Sequence, residues 1–141
     1  MNDGIHPKIY MYRRIVAAKC YIDEHYTERI QIQDMANEAC FSKYHFLRLF
    51  KQAYGQTPHA YLTALRIKKA KLLLLEEDSI TQVCFALGFE SLPSFTHLFK
   101  RHTGCTPQQY LQRAEDKKQA KEERPRNFVP NCFAHRFNWE K

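Results

Sequence analysis

Tyr44, Leu47, Arg48 and Lys51 recur at i, i+3, i+4 and i+7, the interval that places side chains on one face of a helix. Phe46, Leu49, Phe50 and Ala53 fall on the opposite face. A helix here buries one side and offers the other, with Lys43 at the edge of the outer face near the N-terminus. Forty-nine residues later the pattern returns. Phe95, Leu98 and Phe99 turn inward, so Pro93, Thr96, His97 and Lys100 turn outward. These outer rows hold cations, hydroxyls and one planar guanidinium fork. Such groups donate hydrogen bonds and neutralise anionic oxygen. They recognise; they do not make or break covalent bonds.

The rest of the chain supplies no better chemistry. It holds no arguable nucleophile–base pair, no paired carboxylates and no phosphate-cradling glycine loop, so it is not expected to be an enzyme. Its four glycines stand in the leader, at turns or at helix ends. Cys132 and His135 lie three apart, but two ligands do not make a metal site, and neither metal nor cofactor is expected. Five cysteines, odd in number and without a C-x-x-C pair, argue against a disulfide framework. Cys20, Cys40 and Cys84 sit on apolar faces and read as small buried hydrophobes. Cys105 and Cys132 read as the more exposed pair, where a reactive thiol would stand.

The elements that carry the two rows are themselves duplicated. "HFLRLFKQAYGQTPHAYL" (45–62) and "SFTHLFKRHTGCTPQQYL" (94–111) share Phe, Leu-Phe-Lys, Gly, Thr-Pro and Tyr-Leu at identical offsets. Upstream of each lies a short apolar template: Ile32, Met35, Ala36 and Ala39, then Ile80, Val83, Cys84 and Leu87, offset by 48. One residue is inserted in the second turn, "GFESLPSF" against "CFSKYHF". Ser42 and Ser91 are N-caps, Gly55 and Gly104 are C′ stops, and Thr57-Pro58 and Thr106-Pro107 are helix starts. Ser79 and Gln82 form a Ser-x-x-Gln capping box. An earlier helix over about residues 8–26 shows its stripe in Ile15, Ala18, Ile22 and Tyr26. The expected fold is all-α with about seven helices and no β-signal. In it a linker helix from Pro58 to about Glu76 joins two helix-turn-helix units. The apolar end of "RIKKAKLLLL" reads as buried.

A net charge of +7 at 141 residues favours a polyanionic partner. A linker helix of about 19 residues is roughly 28 Å long, near the ~34 Å between successive major-groove faces of B-DNA. One chain is thereby able to present two helices to adjacent grooves. No apolar run reaches the ~18 residues of a membrane span, so no membrane partner is expected. The start, "MNDGIHPKIYMYRR", lacks the apolar core of a secretory signal, and the cytoplasm is the default compartment.

The residues now on the page resemble the DNA-binding domain of the AraC/XylS family of bacterial transcription regulators. The resemblance covers "IQIQDMANEACFSKYHFLRLFKQAYGQTPHAYL" and "RIKKAKLLLLEEDSITQVCFALGFESLPSFTHLFKRHTGCTPQQYL", within about residues 10–112. It implies a first motif at about 30–55, a linker helix at about 57–77 and a second motif at about 79–104. It also implies double-stranded DNA as partner, usually activation of transcription through RNA polymerase, and binding as a monomer. By position, Lys43, Tyr44, Leu47 and Arg48 would face the bases of one groove, and Leu92, Pro93, Ser94, Thr96 and His97 those of the next. Arg48 suits guanine O6 and N7. Lys51 and Lys100, and the helix starts at Ser79 and Thr106, would meet phosphate. Leu92-Pro93 and His97 depart from the family's more polar second reader, so the first motif is expected to dominate specificity.

Residues 1–9 read as a leader, and the chain as the small standalone type of regulator. Residues 113–141 are charged, then aromatic (Phe128, Val129, Phe133, Phe137, Trp139), and such a tail is expected to dock. That tail and the apolar second reader suggest a competing class. This is a protein-interaction adaptor that has lost DNA affinity and binds polymerase or another regulator.

Overall fold

The computed structural model describes residues 7–76 and 79–123. Among them are seven helices and no strand: α1 (Pro7–His25), α2 (Ile32–Glu38), α3 (Lys43–Tyr54), α4 (Pro58–Glu76), α5 (Ile80–Ala86), α6 (Leu92–Thr103) and α7 (Pro107–Glu123). Two units divide at Pro107/Gln108. The first contains both helix-turn-helix motifs. The second begins with the body of α7, a mainly exposed, polar helix in which Gln112 donates to Asp116 at 3.2 Å. The aromatic tail, Cys132 and His135 lie outside the described residues. No helix among those described is long and apolar enough to cross a membrane.

Within the first unit, the apolar templates fold as they read. Ile15, Ala18 and Ile22 of α1 close over Met35, Ala36 and Ala39, Phe46 and Phe50 of α3, and Leu62 of α4. A second set follows in the other motif: Ile67, Ala70 and Leu74 of α4, with Val83, Cys84, Leu87, Phe89, Phe95 and Phe99. The linker α4 packs against α1 and α3 and also against α5 and α6, so it belongs to both halves. It starts where Thr57 Oγ1 accepts from the Ala60 N–H at 3.1 Å, with Pro58 buried at the first helical position.

Three local expectations are corrected. Only Leu74 is buried in the last turns of α4; Leu72 and Leu75 are 58% and 57% exposed. A helix lying on its neighbours covers one flank, and these two leucines stand on the other. Cys20 and Cys40 are exposed rather than buried. Cys20 lies on the outer side of α1, and Cys40 projects from a turn. Cys105, expected at the surface, is buried instead. The chain folds inward after Gly104, and the Thr103 hydroxyl accepts from the Cys105 N–H at 3.4 Å.

The two motif turns are copies that use different residues. Each short helix closes with a six-residue return, from the Phe41 N–H to the Ala36 carbonyl (3.1 Å) and from the Phe89 N–H to the Cys84 carbonyl (3.2 Å). The residue before each phenylalanine takes a left-handed conformation: Cys40 at φ 57° and Gly88 at φ 84°. Glycine adopts that region freely, whereas a residue with a Cβ is strained there by about 1–2 kcal/mol. A Cβ on Gly88 would also lie 2.8 Å from the Thr27 carbonyl oxygen. Equivalent substitutions should therefore act with opposite sign. Cys40→Gly is expected to raise stability by about 0.5–1 kcal/mol, and Gly88→Ala to lower it by more than about 1 kcal/mol. Urea unfolding of the two variants measures both, and two shifts of the same sign would contradict this reading of the turns.

Candidate nucleic-acid interface

The candidate interface rests on α3 and α6, each 12 residues long and built to one plan. Ser42 Oγ accepts from the His45 N–H at 3.4 Å, and Ser91 Oγ from the Ser94 N–H at 3.3 Å. At the other end Gly55 (φ 73°) and Gly104 (φ 87°) donate to the Lys51 and Lys100 carbonyls, both at 2.8 Å. The inward ring pairs are almost superimposable in geometry. Phe46 and Phe50 stand 5.6 Å apart at 57°, and Phe95 and Phe99 5.8 Å apart at 58°. All four rings are fully buried. Full burial of such a pair fixes the rotation of each helix about its axis, and with it the outer face.

That outer face carries the residues expected on it. On α3, Lys43, Arg48 and Lys51 are exposed, Tyr44 is 83% exposed, and Leu47 is half-buried. No ion pair with another described residue engages Lys43, Arg48 or Lys51. On α6, Pro93, Ser94, His97 and Lys100 are exposed, while Leu92 and Thr96 are half-buried. Leu92 and Pro93 occupy the first turn of α6, so its leading end presents carbon where α3 presents Lys43 and Tyr44. Ser79 is half-buried and its Oγ accepts from the Gln82 N–H at 3.3 Å, which caps α5. Thr106 is half-buried ahead of the buried Pro107. No group of three or more potential metal ligands occurs among the described residues.

Residues outside the repeat complete the surface. A depression of about 400 Å³ brings Lys43 together with Gln31 and His59. A groove of about 450 Å³ continues from Gln31 and His59 past Arg29 to Ser91 and Ser94. The groove is of mixed character: Arg29, Arg66, Gln31 and His59 share it with Glu90 and with apolar Ile30, Leu62 and Leu98. Sequence reasoning missed Arg29, Gln31 and His59, because they come from the α1–α2 connection and the first turn of α4. Their local patterns are those of ordinary surface, and only the tertiary fold puts them in one groove.

The two halves also meet in that groove, whose lining includes Arg66, Gly88 and Phe89. Arg66, midway along α4, donates from Nε to the Tyr26 carbonyl at 2.7 Å and from Nη2 to the Glu28 carbonyl at 2.8 Å. Its guanidinium carbon lies 5.6 Å from the centre of the Phe89 ring. Burial pushes its pKa below the ordinary value, yet arginine remains charged. Closer to α3, the Tyr61 hydroxyl donates to Asp23, whose other oxygen accepts from Lys19 at 2.9 Å. The hydrogen bond to Asp23 holds the Lys19 ammonium well above its usual range.

Two capped helices packed on a shared linker helix define a tandem helix-turn-helix protein. A family model described as a helix-turn-helix domain matches residues 35–113, more than half of the chain. The chain belongs to the AraC-type helix-turn-helix family. It is 36% identical over 95 residues to the uncharacterized transcriptional regulator YobQ of Bacillus subtilis, covering 67% of this chain and 39% of that protein. It is 33% identical over 93 residues to the transcriptional activator RhaS of Escherichia fergusonii, covering 65% of this chain and 34% of RhaS. The chain therefore spans less than half the length of these curated relatives. Among solved structures, an AraC-type regulator from Chromobacterium violaceum matches with a TM-score of 0.65 at 30% identity, over 71% of this chain and 90% of that one. The DNA-binding domain of AdpA, solved with a target DNA, shares the fold with a TM-score of 0.67 at 24% identity, over 81% and 98%.

The serine caps make a direct claim about α3 and α6. Ser42→Ala and Ser91→Ala should each lower stability by about 1 kcal/mol, since each leaves a first-turn N–H without its acceptor. Thermal or urea unfolding checks this, and no loss at either site would contradict the cap assignments.

Proposed function

We propose that this protein is a sequence-specific regulator of transcription that places α3 and α6 in adjacent major grooves of double-stranded DNA. The observation that carries the proposal is the pair of identically braced helices whose outer faces form no ion pair with another described residue. Arg48 reads guanine through its fork, and Lys43 donates at a neighbouring base edge. Tyr44 and Leu47 pack on thymine methyls or sugar. On α6, Thr96, His97 and Ser94 supply the polar contacts and Leu92-Pro93 an apolar one. Lys51 and Lys100, one turn further along, meet phosphate, as do the helix starts at Ser79 and Thr106. Arg29, Gln31 and His59 line the path of the backbone between the two grooves.

Two relatives support this reading. RhaS is named as a transcriptional activator, and the AdpA domain was solved on its target DNA. We take this protein to act as an activator, through contact with RNA polymerase, and to bind as a monomer, because one chain carries both readers.

Binding titrations on a selected site test the proposal. Affinity should fall steeply with salt, since neutralised phosphates release counterions. Arg48→Ala should cost about 1–3 kcal/mol and relax preference at one base pair. His97→Ala should cost less, because an imidazole makes fewer base-edge bonds than a guanidinium fork and the first turn before it offers Leu92-Pro93. An affinity independent of salt would point to an adaptor and reject DNA binding. Equal losses for the two variants would reject the dominance of α3.

A further inference from the structure

Two helices that read adjacent grooves must hold one separation, and a helix alone does not guarantee it. The half that carries α6 can still rock about the long axis of α4 or tilt at its packing contacts. A tilt of about 10° acting over the roughly 28 Å of α4 moves the far reader by about 5 Å, more than the 3.4 Å rise of one base pair. Something has to resist that tilt.

Three segments converge where it can be resisted. The first is the backbone after α1, whose carbonyls at Tyr26, Thr27 and Glu28 face the second motif. The second is Arg66, which takes the Tyr26 and Glu28 carbonyls in a two-pronged grip. The third is the turn of the second motif, where Phe89 lies against the guanidinium and Gly88 sits where a Cβ would strike the Thr27 carbonyl oxygen. A cation suits this place, because the carbonyls follow the C-terminus of α1, the negative end of its dipole. Phe89 is 93% buried by the same packing, at 7% exposure.

We infer that Arg66, gripping the Tyr26 and Glu28 carbonyls with Phe89 against its guanidinium, is the positioning residue that fixes the spacing between the two DNA half-sites this protein accepts. The inference rests on the DNA-binding reading above. It adds that spacing selectivity resides in a contact between the two motifs rather than in a base contact.

The test uses the full chain and a set of duplexes in which the two blocks of the selected site are moved apart or together by one base pair. For the unaltered protein each shift should weaken binding by about tenfold or more, the scale of a lost base contact. For Arg66→Gln that ratio should fall to about threefold or less, while affinity for a duplex carrying only the first block stays unchanged. Arg66→Lys, which retains one charged donor, should recover part of the ratio. A variant that merely folds less well loses active protein and weakens on every duplex alike, leaving the ratio intact. Should Arg66→Gln prove insoluble, Phe89→Leu keeps the turn filled, removes the ring from the guanidinium, and is expected to lower the ratio as well. An undiminished ratio in these variants overturns the inference and leaves DNA binding standing. An unaltered protein indifferent to spacing does the same, and one that binds none of the duplexes overturns both.

Discussion

One unbroken helix has to satisfy two cores at once, and the rest of the structure follows from that constraint. The first two turns of α4 present Leu62 to the core shared by α1, α2 and α3, and the following turns bury Ile67, Ala70 and Leu74. After Pro58, no glycine or proline interrupts the run to Glu76. A breaker there would uncouple the halves, because α4 is the element that both motifs pack against. Its polar side chains share the task. Tyr61 ties the helix to Asp23 of α1, and Arg66 ties it to the loop beyond.

Burial inside each motif then decides what is shown outside it. The phenylalanine pairs of α3 and α6 are locked at matching distances and angles. A helix whose inner rings have one fit has one outer face. Scaffold positions repeat between the copies, and among the outer ones Lys51 and Lys100 match while Leu47-Arg48 stands opposite Thr96-His97. Duplication set the geometry, and divergence at outer positions such as these two supplies two different surfaces on it.

Most of this was legible in the sequence because it is encoded locally. Ser42, Gly55, Thr57-Pro58 and their counterparts mark helix ends through backbone chemistry that depends on a few neighbouring residues. The inward phenylalanines repeat at helical spacing, so the exposed row opposite them was placed by elimination. What escaped was decided at longer range. Leu72 and Leu75 belong to an apolar run, but which flank of α4 is covered depends on how α5 and α6 lie on it. Cys40 matches apolar spacing, yet the turn puts it at φ 57° and turns its side chain outward. Cys105 looks like loop and is folded under. Arg66 reads as one more cation in "RIKKAK", although its partners stand 38 and 40 residues earlier. The groove that gathers Arg29, Gln31 and His59 likewise has no signature along the chain.

The central claim is that a single chain presents two readers at one fixed separation. Selection of bound sequences from a random duplex pool, using the purified full chain at low salt, tests it most directly. The account predicts two short preferred blocks with centres about ten base pairs apart, the better-defined block belonging to α3 and losing its strongest guanine in Arg48→Ala. A single block, or two blocks at no constant distance, would contradict it.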